Sequence, residues 1–256
     1  MKKANKFLLT LSIVPLLASC GSKTVTSVSD VLKCVKGEDE RAQKHDASKV
    51  YETYSKAYVV TDANIQEIKA VRTDGSDDEK KVDETRYRVE TFLYAALVTS
   101  KAFNKFAYGP MIALGRFEKP LNSFTISPYV SAEYLLNEYV NYTEKDESTK
   151  GYPHSDDCLY TYKDQRLDLN FTLTETKDYE NVDCAYMDKK ELKDGKETLH
   201  VGIAVNIKVN YLANGAIRSM SFVASAAHKA QPGSTTDHFI ESSYTISGEA
   251  DITYIE

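Results

Sequence analysis

Three residue types able to ligate a metal fall within five positions at His154-Ser-Asp-Asp157-Cys158. Zinc needs three or four ligands held from more than one segment. No second cluster faces this one along the chain, and Asp and Ser are expected in a loop for their turn-forming hydrogen bonds, so no metal site is assigned. Six acids between Asp74 and Glu84 lack the order of a calcium loop and read as a solvated charged face. Five histidines, at 45, 154, 200, 228 and 238, are scattered. A nucleophile and base would most readily come from His200, His228 and His238 with Asp237 or Glu241, which are close in sequence or in the expected sheet. The G-x-S-x-G, H-E-x-x-H, P-loop and G-x-G-x-x-G patterns are absent. No catalytic residue and no cofactor is therefore assigned, and the chain is read as a non-enzyme. Tyr51, Tyr54 and Tyr58 fall at helical spacing, a stripe that fits core packing with hydroxyls at its rim, or stacking against a ligand.

The clearest chemistry lies in the first twenty residues. Lys2, Lys3 and Lys6 precede an apolar run from Phe7 to Leu17, and Leu17-Ala18-Ser19-Cys20 closes it. A cationic start, a short apolar stretch and small residues at the cut form a secretory signal. The run is shorter than the about 20 residues a permanent membrane helix needs. Leu17-Ala18-Ser19-Cys20 resembles the lipobox of bacterial lipoproteins. The resemblance implies cleavage before Cys20, a diacylglyceryl thioether on that cysteine, acylation of the new amino terminus, and a protein held on the extracytoplasmic face of the cell membrane. Two or more acyl chains anchor stably, whereas one does so only marginally.

Loss of residues 1–19 removes three lysines and no acid, so the formal charge moves from -6 to -9. That surplus argues against a nucleic-acid partner, since phosphate backbones are bound by cations. With Cys20 lipidated, Cys34, Cys158 and Cys184 remain. Export permits disulfides. Cys158 and Cys184 could pair, a loop closure worth roughly 3.5 kcal/mol in the chain-entropy picture, or all three could be reduced, buried side chains.

Residues 20–45 read as a tether with a short helix marked by Val28, Val31, Leu32 and Val35 and ended by Gly37. A single domain follows over 46–256: mainly helical over 46–142, a loop over 143–158, and mainly β over 159–256. Asp46 is placed as the cap of a helix whose face carries Val50, Tyr51, Tyr54, Ala57 and Tyr58. Ile65, Ile68 and Val71 suggest a further turn or strand. A long helix is expected near 78–105, although Thr91–Thr99 could also be a buried strand. Ser127-Pro128 has the cap-then-proline order of another helix start.

Beyond the loop the period changes to two. Leu167 to Leu173 and Leu199 to Tyr211 alternate apolar with polar residues, as does Ile240 to Tyr254. Asn214-Gly215 suggests a two-residue type I′ turn. Such a turn pairs Val209 with Met220, Ile207 with Phe222 and Val205 with Ala224, placing all six on one face. It also brings His200 and His228 to the same end of the hairpin. The fold class is α+β, a C-terminal antiparallel, curved β-sheet covered on one face by N-terminal helices. In architecture alone it resembles lipoprotein carriers of the LolA-like or LppX-like type. The expected role is that of a surface binding or interaction lipoprotein with an unknown protein partner. The alternative implied by the resemblance is a carrier holding an amphiphilic ligand in a cavity between sheet and helices.

Overall fold

Alternation builds the sheet, because a strand turns successive side chains to opposite faces. The computed structural model describes residues 23–72, 91–115, 127–142, 155–182, 197–228 and 240–256. Its strands are β1 (Thr24–Val25), β2 (Lys56–Arg72), β3 (Ser155–Thr161), β4 (Arg166–Val182), β5 (Glu197–Tyr211), β6 (Ile217–His228) and β7 (Ile240–Ile255). They form one open, curved antiparallel sheet in the order β1-β3-β4-β5-β6-β7-β2. The strands β3 to β7 follow one another as a meander, and β2, from the first half of the chain, adds to the far edge.

The helices cover one face. They are α1 (Val28–Lys36), the single turn α2 (Val50–Thr53), α3 (91–98), α4 (101–114) and α5 (Ala132–Val140). Leu167, Leu169, Phe171 and Leu173 on β4 are 2% exposed or less, as are Val201, Ile203, Val205, Ile207 and Val209 on β5. Tyr139 of α5 stacks on Phe171 with centroids 4.3 Å apart, and Phe106 of α4 meets the same ring edge-on at 6.3 Å. Phe103 of α4 meets Phe222 of β6 at 5.9 Å. The architecture is thus α+β with helices of the first half over a C-terminal sheet, as the pattern predicts.

Several local expectations are corrected. Among the described residues the sheet already includes Lys23, whose carbonyl accepts from Tyr162 N. α1 does end at Gly37, which takes φ 73° while the next residue's N–H returns to Lys33 O. Asp46 accepts from Ser48 N as a cap, but the helix it opens stops at Thr53. From Lys56 the chain is strand, with Ala57 and Val59 buried at alternate positions. The spacing Val50 to Tyr58 is helical, but Ala57 and Val59 open an alternating, β-branched run that favours pairing with β7. Tyr51, Tyr54 and Tyr58 therefore do not form one helical stripe. β3 starts at Ser155, inside the expected loop.

Thr91–Thr99 is helical up to residue 98, and the helix breaks at Ser100 instead of running on to 105. A second helix resumes with a π-helical stretch, Phe103–Tyr108, in which Gly109 N donates to Asn104 O. Pro110 lacks an N–H and its ring clashes with the preceding turn, so the helix widens just before it. A Cβ on Gly109 would lie 2.7 Å from Asn104 O.

The β5–β6 register is the predicted one: Val209 pairs with Met220, Ile207 with Phe222 and Val201 with His228. The turn differs. Gly215 N donates to Leu212 O and Leu212 N to Ala216 O, making a three-residue turn over Ala213-Asn214-Gly215. Only Gly215 has positive φ, at 86°, so this is not a type I′ turn. The displacement is undone by an irregularity in which Tyr211 pairs with Ile217 but Asn210 with Ser219, leaving Arg218 as the extra residue.

Candidate functional site

On the uncovered face, a row of polar residues crosses four strands in register. Asp168 lies opposite Asn210, Asn210 opposite Ser219, and Ser219 opposite Asp251. Each occupies the outward phase of its strand, between buried neighbours such as Leu167, Leu169, Val209 and Met220. The bulge at Arg218 sets an arginine beside this row, and the β3–β4 turn contributes Asp164 and Arg166. Together with Tyr211, Leu212 and Ala213 these residues line a groove of about 430 Å³.

The groove's charges are incompletely matched. Arg166 Nε lies 2.7 Å from Asp168 Oδ2, and Asn210 Nδ2 donates to Ser219 Oγ at 2.8 Å. Asp168 Oδ1 is buried and has no hydrogen-bond partner among the described residues. Arg218 is exposed and makes no ion pair among the described residues. The groove thus sets carboxylates beside a guanidinium, Arg218, that has no ion-pair partner among the described residues. The arrangement can present a carboxylate to a donor and a guanidinium to an oxyanion, while Asn210 and Ser219 offer further polar atoms.

The floor of this end of the molecule is rigidly built. Gln165, in the β3–β4 turn, takes φ 51°. Its Oε1 accepts from Gln43 N and Tyr160 Oη, both at 2.5 Å, and its Nε2 donates to the Arg41 and Tyr162 carbonyls. Arg41 lies 4.2 Å over the Tyr162 ring and pairs with Asp39 at 2.7 Å. That pairing holds the Asp39 carboxyl well below the usual carboxylate range. The β5–β6 turn is fastened by Asn214 Nδ2, which donates to Tyr54 Oη, while the Tyr54 ring packs tilted against Tyr254 with centroids 4.5 Å apart.

The sequence candidates are distributed differently. His200 pairs with Asp178 at 2.7 Å on the outer face, whereas His228 is 6% exposed on the inner face, its Nδ1 2.9 Å from His200 O. The two lie at one end of the hairpin, as the register predicts, but on opposite faces. His238, Asp237 and the Glu241 side chain lie outside the described residues. So do Cys20, Cys184 and His154. Cys158 is buried on β3, turned into the core. Among the described residues no three His, Cys, Asp or Glu side chains are placed to hold a metal. No helix among them is long and apolar enough to cross a membrane.

Two features escaped the sequence reading. The groove is one, although the Asn210–Ser219 pair follows from the predicted register; Asp168 and Asp251 needed the alignment of β4 and β7. The other is Glu175, an acid at an inward position directly after Leu167 to Leu173, which is the signal that could have found it. It is 5% exposed and accepts from Ser100 Oγ and Lys101 N, both at 2.9 Å, so it caps the start of α4. Lys177 Nζ approaches its other oxygen at 3.8 Å. This cluster positions a helix.

Comparison of the chain with family models, with curated proteins and with solved structures found no match.

Proposed function

We propose that this chain is a lipid-anchored extracytoplasmic binding protein, held at the cell membrane through Cys20 and engaging its ligand in the polar groove on the uncovered sheet face. The observation that carries the binding half is the groove of about 430 Å³ itself, in which Asp168, Asn210, Ser219 and Asp251 align in register across four strands beside Arg218. The anchor half is supported by Leu17-Ala18-Ser19-Cys20 directly after the apolar run. In this reading the protein is not an enzyme: it binds through an exposed surface.

A carrier with an acyl cavity between sheet and helices is the second reading. The space it would use is occupied by Phe103, Phe106, Tyr139 and Phe171, each 4% exposed or less. The anchor is tested by Cys20→Ala. The expected outcome is release from the membrane fraction or an uncut precursor, with loss of the lipid mass from the amino terminus. Unchanged fractionation and mass would overturn it. An acyl ligand retained by the Cys20→Ala protein in native mass spectrometry would favour the carrier.

A further inference from the structure

The sheet takes hold of the chain three positions after Cys20. Lys23 O accepts from Tyr162 N, and Thr24 pairs with Thr161. Fully extended, the chain from Cys20 to Lys23 spans at most about 11 Å. From Lys23, contacts run across one whole end of the molecule. Gln165 O, in the β3–β4 turn that Tyr162 opens, meets His45, and Gly215 of the β5–β6 turn abuts the His45 backbone. Lys44 and Ser48 share a hollow with Pro128. Asn214 reaches Tyr54, and Ser55 holds the carbonyl of Ile255.

We propose that this end seats on the headgroups of an anionic phospholipid bilayer, so that the sheet stands end-on to the membrane; this rests on the anchored reading of Cys20. The short reach from Cys20 to Lys23 brings the end within touch of the headgroups. Tyr129 and Ile255 are 49% and 43% exposed there. A tyrosine with an apolar body and a hydroxyl tip suits the depth of the headgroups. Lys44, Lys49 and Lys163 are exposed and make no ion pair among the described residues. Residues 23, 37–56, 127–131, 162–166, 212–218 and 255–256 hold eight Lys and Arg against seven Asp and Glu, whereas the mature chain stands at -9. The acid surplus therefore lies elsewhere, and an anionic surface repels the rest of the molecule more than this end. The other surface within reach of Cys20 is the β1 edge, beside which α1 packs on β3. There α1 exposes the polar Ser29, Asp30 and Lys33, with no exposed large apolar side chain.

Amine acylation followed by mass spectrometry tests the seating. The lipidated full chain in nanodiscs of phosphatidylethanolamine and phosphatidylglycerol is compared with the soluble Cys20→Ala chain. In the discs Lys44, Lys49 and Lys163 should react about threefold or more slowly, as an end seated for roughly two thirds of the time or longer would. Lys33 on α1 and Lys208 on the outer sheet face, both exposed, should react at the same rate in both samples. Tyr129→Asp should restore much of the lost reactivity without changing membrane fractionation. Protection of Lys33 as strong as that of Lys44 would show a molecule lying on its β1 edge and overturn the proposal. Equal rates at all five lysines, or protection indifferent to Tyr129→Asp, would also overturn it. The mass of the amino-terminal peptide from the same discs reads the anchor. Lipid on Cys20 beside unprotected lysines overturns the seating alone, and absence of lipid overturns both.

Discussion

His45 sits under the two hairpin turns that frame the groove. It is 4% exposed, its Nε2 lies 3.2 Å from Gln165 O, and its Nδ1 is buried with no partner among the described residues. A neutral ring with its proton on Nε2 fits these contacts, donating to the carbonyl and leaving only a lone pair unmet. Burial lowers the pKa from 6.5 to about 4, opposed by the hydrogen bond to Gln165. The unfolded chain takes up the proton first, so this contribution is complete above pH 6.5 and is lost as pH falls from 6.5 through 4. The loss should reach about 3 kcal/mol below both values. Urea unfolding at pH 7.5 and at pH 4.5 measures most of it. His45→Leu should show a smaller loss between the two pH values than the parent, and equal losses would remove His45 as the source. Gly215 touches the same residue: a Cβ there would lie 2.8 Å from the His45 carbonyl carbon. Gly215→Val combines that collision with positive φ and should cost about 3 kcal/mol or more. Asn214→Ala should cost only about 1 kcal/mol, because Asn214 is not at positive φ and gives up hydrogen bonds alone. Comparable losses at the two positions would restore the type I′ turn.

At the scale of elements, what could be read beforehand was what local chemistry dictates. The alternation of Leu199 to Tyr211 and the facing of Val205, Ile207 and Val209 with Ala224, Phe222 and Met220 follow from period and hairpin register alone. The turn was misplaced by one residue because a three-residue turn and a compensating bulge leave the same register beyond them. β2 was hidden because Ala57 and Tyr58 continue the helical spacing of Val50, Tyr51 and Tyr54, and its partner β7 is the last strand of the chain. The groove was hidden for a related reason: its residues occupy ordinary outward positions on four strands and acquire meaning only when aligned. Glu175 tests the reading of α3 and α4 as two helices joined by a capped break. Glu175→Ala should cost about 3 kcal/mol by stripping Ser100 Oγ and the amides of Lys101 and Ala102 of their acceptor, while Glu175→Gln should cost less because it keeps an oxygen there. Thermal unfolding ranks the two, and equal costs would show that the cap is not what holds α4.

At the scale of the whole molecule, the sheet joins the two ends of the chain. Ala57 pairs with Tyr254 and Arg72 with Ile240, and Ser55 Oγ donates to Ile255 O across 200 positions of sequence. A protein exported amino terminus first, as its signal segment leads us to propose, would deliver β2 outside the cell long before β7 arrives. During that interval a 17-residue strand has both edges open, and loop-closure entropy opposes its docking elsewhere. The order of emergence thus creates a waiting period in which β2 is a template for foreign strands, and a chaperone or rapid burial by α3 and α4 would shorten it. A premature stop before Ile240 would make that interval permanent: it deletes β7, leaves β6 and β2 without their shared neighbour, and should convert the secreted product into aggregate even though every residue of the groove except Asp251 is still present.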